Sequence, residues 1–271
     1  MVAQGEEIIS IGKDLAWQLW PQRLVAAYAL GSLAHGGFSA VSDVDLGLVL
    51  ADPLGPTDAQ GVQRLTELIR ATLKPFADRL SVFWGSVATL TGAAEGGRFP
   101  PLDRLDLIAY GRLLTGSEIR RELPTPTRKE LVIAGAEFAL SRLGTKEVVE
   151  KLKRPQALIR SDAKTLTKLI LYPVRFLFTA RTGEVGRNDA AVALYASSPK
   201  SAAAGLARKA LAWRNAPPAP SDADALDAIA AGVLPLYREF LVDHEKRLRE
   251  YERPDLADAF GKWRQKLKAP R

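Results

Sequence analysis

The 271-residue chain contains no cysteine, one methionine and two histidines. Without cysteine it can form neither disulfides nor thiolate metal sites, and with only His35 and His244 as imidazoles a zinc centre is not expected. Long apolar runs are missing too. No stretch approaches the roughly 20 uninterrupted apolar residues of a membrane span, and even Leu169-Ile170-Leu171-Tyr172-Pro173-Val174 stops at Arg175. The opening residues carry Glu6 and Glu7 instead of a basic segment leading into an apolar core, so a secretory signal is not expected and a cytoplasmic location is. No internal repeat is present. What remains is a globular composition, 47% hydrophobic, long enough for one large or two modest cores.

Charge is unevenly shared. Residues 1–126 carry 11 Lys/Arg against 14 Asp/Glu, a net of −3, and residues 127–271 carry 27 against 17, a net of +10. An acidic half followed by a basic half suits a polyanionic nucleotide held by both. It suits a polycationic acceptor less well, because long-range repulsion opposes capture. The bland alternative is that most of these cations are solvated helix faces.

Leu123-Pro124-Thr125-Pro126 favours extended backbone, and Thr127-Arg128-Lys129-Glu130 reads as a capping box opening a helix, which predicts domains over 1–122 and 127–271. Before the boundary the pattern is mixed α/β: an apolar strand at 24–30, a second at 44–50, a helix from Thr57 with Val62, Leu65, Leu68, Ile69 and Leu73 at helical spacing, a strand over 80–90, a Gly-rich loop at 92–97, a short helix near 102–110 and an edge strand at Leu113-Leu114-Thr115-Gly116. Trp17 and Trp20 are expected on one apolar face of the first helix. After the boundary, helices are predicted over 127–143, 161–181, 188–196, 200–212 and 222–252, with Pro235 kinking or dividing the last. Lys262, Arg264, Lys266, Lys268 and Arg271 fit a solvated, fraying terminal helix, with electrostatic nucleic-acid binding as the alternative.

One combination of motifs carries chemistry. Gly31-Ser32 follows the first strand, and ten residues later Asp43-Val44-Asp45 opens the second. Strand side chains alternate faces, so Asp43 and Asp45 project from one side as a hard anionic pair suited to Mg²⁺. Gly31 lets backbone approach a ligand closely, Ser32 adds a hydroxyl, and a helical turn over 33–36 would direct N–H groups at triphosphate oxygens. Each element alone is common as an ordinary turn or a solvated strand edge. Their conjunction, with apolar strands on both outer sides, points to nucleotidyl transfer.

The string Gly31-Ser32-(ten residues)-Asp43-Val44-Asp45 resembles the signature of the polymerase-β-like nucleotidyltransferase superfamily. A second stretch, from Arg175 to Gly183 and then Asn188-Asp189-Ala190-Ala191, is similar to the C-terminal domain of streptomycin/spectinomycin-type aminoglycoside adenylyltransferases. The resemblance implies an α+β fold: a mixed sheet with flanking helices, plus an all-α helical bundle. It also implies Mg²⁺ held by Asp43 and Asp45, which form the catalytic pair, and an NTP, ATP in the first instance, bound by Gly31, Ser32, Ser42, Arg175 and Arg187. The implied reaction transfers AMP to a hydroxyl acceptor, a small molecule ahead of a protein or nucleic acid, with release of pyrophosphate and no membrane partner.

Two departures stand out. The family's general base lies on the strand after the first long helix, and the matching residue here is Ser81. An unperturbed hydroxyl cannot accept a proton near neutral pH. Asp78, Glu95, Asp103 and Asp106 could substitute but read as surface carboxylates. Asn188 stands where the family has a phosphate-binding Lys, leaving Arg187 to supply the charge. These departures keep two alternatives open: an impaired nucleotide-binding regulatory protein of the same fold, and an enzyme that adenylylates a protein. His35 reads as a loop histidine with phosphate contact as the alternative, and Trp84 as core filling with base stacking as the alternative.

Overall fold

The computed structural model describes residues 2–72, 79–199, 201 and 203–267. The chain divides into two compact units, Met1–Pro126 and Thr127–Arg271, with the boundary directly after the proline pair in sequence.

The first unit opens with α1 (Val2–Leu19) and β1 (Leu24–Leu30), then α2 (Gly31–His35), β2 (Val44–Leu50), α3 (Pro56–Thr72), β3 (Leu80–Ser86), α4 (Val87–Thr91), α5 (Pro101–Tyr110) and β4 (Arg112–Gly116). The four strands form one mixed sheet in the order β3-β2-β1-β4, with β2 and β3 parallel and the other pairs antiparallel. Strand alternation divides its side chains between two cores. Val44, Leu46, Leu48 and Leu50 of β2, with Ala27, Ala29, Leu80 and Val82, pack under α1 and α3 through Ile8, Ile9, Ala16, Leu65 and Ile69. On the other face Ala26, Tyr28, Leu30, Val49 and Phe83 meet Leu90 of α4 and Leu107 of α5. Asp45 has the parity of Val49, so it belongs to this second face, where α5 lies. Trp84 packs against the first core, on the opposite face from Asp45.

Several local outcomes differ from the sequence pattern. The strand expected over 80–90 stops at Ser86, because Ser86 and Thr89 form a capping box that starts α4: Thr89 N–H donates to Ser86 Oγ at 3.3 Å and Ser86 N–H to Thr89 Oγ1 at 2.8 Å. Trp17 and Trp20 do not share an apolar face. Trp17 is exposed, whereas Trp20, past the helix end, is buried and donates its indole N–H to Asp58 at 3.2 Å. Leu73 and Asp78 lie outside the described residues.

The second unit is helical throughout: α6 (Arg128–Arg142), α7 (Lys146–Leu152), α8 (Pro155–Ile159), α9 (Ala163–Thr182), α10 (Asn188–Ser197), α11 (Ala204–Ala212), α12 (Ala223–Glu250) and α13 (Pro254–Lys266). The capping box at Thr127 is present, with Thr127 N–H donating to Glu130 Oε2 at 2.7 Å. Pro235 does not divide α12, which runs unbroken from Ala223 to Glu250. One missing backbone hydrogen bond is outweighed by the burial of Val233, Leu236, Tyr237, Phe240 and Leu241 around it. Nor is the terminal helix merely solvated: α13 buries Phe260 and Trp263, and Arg264 pairs with Glu245 at 3.1 Å. Lys268 and Arg271 lie outside the described residues. Among the described residues, no helix is long and apolar enough to cross a membrane.

Candidate active site

The spacing of the Gly-Ser and Asp-x-Asp motifs follows from strand pairing. β1 and β2 are antiparallel, and their register sets Leu30 opposite Asp45. Gly31 therefore leaves β1 directly beside Asp45, and the intervening residues are α2 and its return loop. Gly31 has φ +62°, the left-handed region that only glycine enters cheaply. A Cβ there would also collide with the Asp45 carboxylate. The glycine is thus required twice, once by its conformation and once by the carboxylate packed against it.

Asp43 immediately precedes β2, two residues before Asp45 and of the same parity. Both carboxylates are half-buried. Ser42 is buried, and its hydroxyl accepts the Ser39 N–H at 2.9 Å and lies 3.2 Å from Ser39 Oγ. It shapes the turn that delivers Asp43. On the neighbouring parallel strand, Ser81 is in register with Asp45 and half-buried, so the structure sets a serine side by side with the second aspartate.

One residue at this turn was misread from sequence. Asp106, read as a surface carboxylate, is buried on α5, and its Oδ2 accepts the Gly31 N–H at 2.6 Å. A signal for this existed: Asp106 stands one turn after Leu102 and next to Leu105 on the apolar side of α5, where a solvated carboxylate has no place. The other proposed substitutes differ, Glu95 being exposed and Asp103 half-buried. Tyr28 is fully buried on the same face of the sheet, and burial pushes its phenol up to about 12, so it stays neutral and anchors Ile119 N–H at 3.0 Å.

Two carboxylates are a fitting donor set for Mg²⁺, an ion usually held by one or two carboxylates together with substrate phosphates. Among the described residues, no group of three or more His, Asp or Glu side chains is arranged to hold a metal. Any ion here would complete its shell from water and substrate.

In the second unit, Arg175 of α9 reaches the loop that leads to α10, and Arg187 is the last residue of that loop. Arg175 Nε donates to the Gly186 carbonyl at 2.5 Å, and its guanidinium lies 5.5 Å from the Tyr172 ring centre. Gly186 permits this approach, since a Cβ there would sit 2.8 Å from the Arg175 carbonyl oxygen. Arg187 caps α10 and pairs with Asp189 at 2.8 Å, and Asn188 is the first residue of that helix.

No protein family model matches the chain, and no curated protein matches it in sequence. Solved structures do match. The crystal structure of spectinomycin adenyltransferase AAD(9) from Enterococcus faecialis, with ATP and spectinomycin, is similar at a TM-score of 0.60 over 85% of this chain and 98% of that one, with 16% sequence identity. The chain has a nucleotidyltransferase-like fold. The likeness extends over most of the chain.

Proposed function

We propose that the chain is a Mg²⁺-dependent nucleotidyltransferase that moves AMP from ATP onto a hydroxyl acceptor. The observation that carries this reading is the packing of Gly31 against the Asp45 carboxylate at the start of β2, with Asp43 of like parity beside it. Asp43 and Asp45 would hold Mg²⁺, which when bound neutralises phosphate charge and activates the attacking oxygen. Ser32 would donate to triphosphate oxygens. Arg175 and Arg187 would supply the cationic contacts to the nucleotide from the helical unit, in keeping with that unit's net charge of +10. The acceptor oxygen bonds to the α-phosphorus, the bond to the β-phosphate oxygen breaks, pyrophosphate leaves, and the acceptor proton passes to solvent. AAD(9) was crystallised with spectinomycin, so a small hydroxyl-bearing acceptor is the first class to try here, and the basic second unit disfavours strongly cationic ones.

Calorimetry with ATP, with and without Mg²⁺, tests the reading directly. Wild type should bind ATP in a Mg²⁺-dependent manner, and the Asp43→Ala, Asp45→Ala double variant should lose at least about tenfold in affinity. Unchanged affinity in the double variant would sink the assignment.

The register of Ser81 with Asp45 supports a second reading, a nucleotide-binding protein of this fold with impaired turnover. Pyrophosphate release at an ordinary enzymatic rate, about 1 s⁻¹ or faster, with any member of a panel of aminoglycosides, nucleic acids and proteins would reject it.

A further inference from the structure

Asp106 joins both ends of α2 to α5. Its Oδ2 accepts the N–H of Gly31, the first residue of α2, at 2.6 Å, and its Oδ1 lies 3.9 Å from Nε2 of His35, the last. The His35 ring in turn meets Tyr110, at the end of α5, edge-on at 5.4 Å between centroids. Asp106 is only 8% exposed and sits between buried Leu105 and Leu107, so the carboxylate has a fixed seat. The Asp45 carboxylate also packs against Gly31, where a Cβ would collide with it. A single glycine is therefore in contact with both a strand aspartate and a helix aspartate.

We infer that Asp106 is a positioning residue for nucleotide binding: it fixes the Gly31–Ser32 turn against Asp45, so that the donors from Ser32 onward are pre-set for triphosphate oxygens. This rests on the nucleotidyltransferase reading. Other roles fit less well. Asp106 joins no group of three or more potential metal ligands among the described residues. A charge-assisted bond to a backbone amide is roughly twice as strong as a neutral one, which suits it to holding a left-handed glycine in place. The geometry also assigns the Gly31 N–H to Asp106, so phosphate contacts begin at Ser32.

The role requires an acceptor at position 106, and the charge that strengthens the bond to the Gly31 amide also opposes an incoming triphosphate, so removing the charge alone has two offsetting effects. Asparagine should therefore serve and alanine should not. Mg²⁺–ATP affinity by calorimetry and the Gly31 amide resonance by NMR are to be compared in wild type, Asp106→Asn and Asp106→Ala. The alanine variant should lose about tenfold or more in affinity, together with the downfield position and exchange protection of the Gly31 amide. The asparagine variant should keep the amide signature and bind within about threefold of wild type or more tightly. Wild-type affinity in Asp106→Ala, or an Asp106→Asn variant as weak as alanine, would overturn the positioning role while leaving the nucleotide reading intact. Absence of Mg²⁺-dependent ATP binding in wild type would overturn both. If Asp106→Ala does not fold, the asparagine variant alone decides, since weak binding there means that charge and not position matters.

Discussion

Replacing Ser81 with glutamate is expected to raise the rate of pyrophosphate release by about 10²- to 10⁴-fold, the range a positioned general base contributes. The expectation comes from register. Ser81 and Asp45 are partners on adjacent parallel strands, so their side chains leave the sheet on the same face, roughly 4.8 Å apart in the hydrogen-bonding direction. A carboxylate at position 81 would then reach the space above Asp43 and Asp45 where an acceptor hydroxyl must lie. Wild type has only a hydroxyl there, so in the proposed reaction deprotonation would fall to solvent. Because an added carboxylate could also tighten metal binding, Mg²⁺–ATP affinity should be measured alongside the rate. A rise in rate at constant affinity identifies the missing base. No rise in rate would mean that proton removal does not limit this chain, and the case for impaired turnover would lose its physical basis.

Acidification from pH 7 to pH 4 is expected to remove about 3 kcal/mol of stability through His244 alone. The imidazole is 1% exposed on α12, 4.5 Å from the Phe240 ring centre and stacked at 6.0 Å on Phe260. Burial lowers it to about 4, against a nearby Asp243 carboxylate that pulls the other way and an Arg247 guanidinium that adds to the lowering. Desolvation wins because the ring is buried, whereas Asp243 is partly exposed and 3.5 Å away. The direction follows from proton counting. Above pH 6.5 the ring is neutral folded and unfolded, and stability is complete. Between pH 6.5 and 4 the unfolded chain takes up a proton that the folded chain refuses, so stability falls as pH falls. Below 4 the loss levels off. Urea unfolding of wild type and His244→Phe at pH 7 and pH 4.5 would measure it. Phenylalanine suits the aromatic surroundings and does not titrate, so the pH dependence should be smaller in the variant. Equal dependence in both proteins would show that other groups carry the acid sensitivity.

Much of the local geometry around the candidate site is legible in the sequence because its elements are local. Gly31-Ser32 must follow a strand, Asp43 and Asp45 must share parity, and Thr127 must cap a helix, since each depends on a few neighbouring residues and on periods fixed by backbone geometry. The end of β3 was less legible. Residues 80–90 are apolar enough for a longer strand, and the Ser86–Thr89 capping box that ends it is a weak signal beside them. The unbroken α12 was also hidden, since whether Pro235 breaks a helix depends on how much burial surrounds it.

Asp106 marks the limit most clearly. In the sequence it is one of four carboxylates between 78 and 106, and ordinary statistics place such residues on the surface. Its value arises only when α5 packs on the face of the sheet where β1 ends, bringing a side chain 75 positions away onto the Gly31 amide. The sequence by itself determined which short-range chemistry the chain possesses: a glycine turn, a paired carboxylate, a serine at the third position and a basic helical half. Only the tertiary structure decided which groups share a site, because strand register and helix packing set distances between residues that no local period connects.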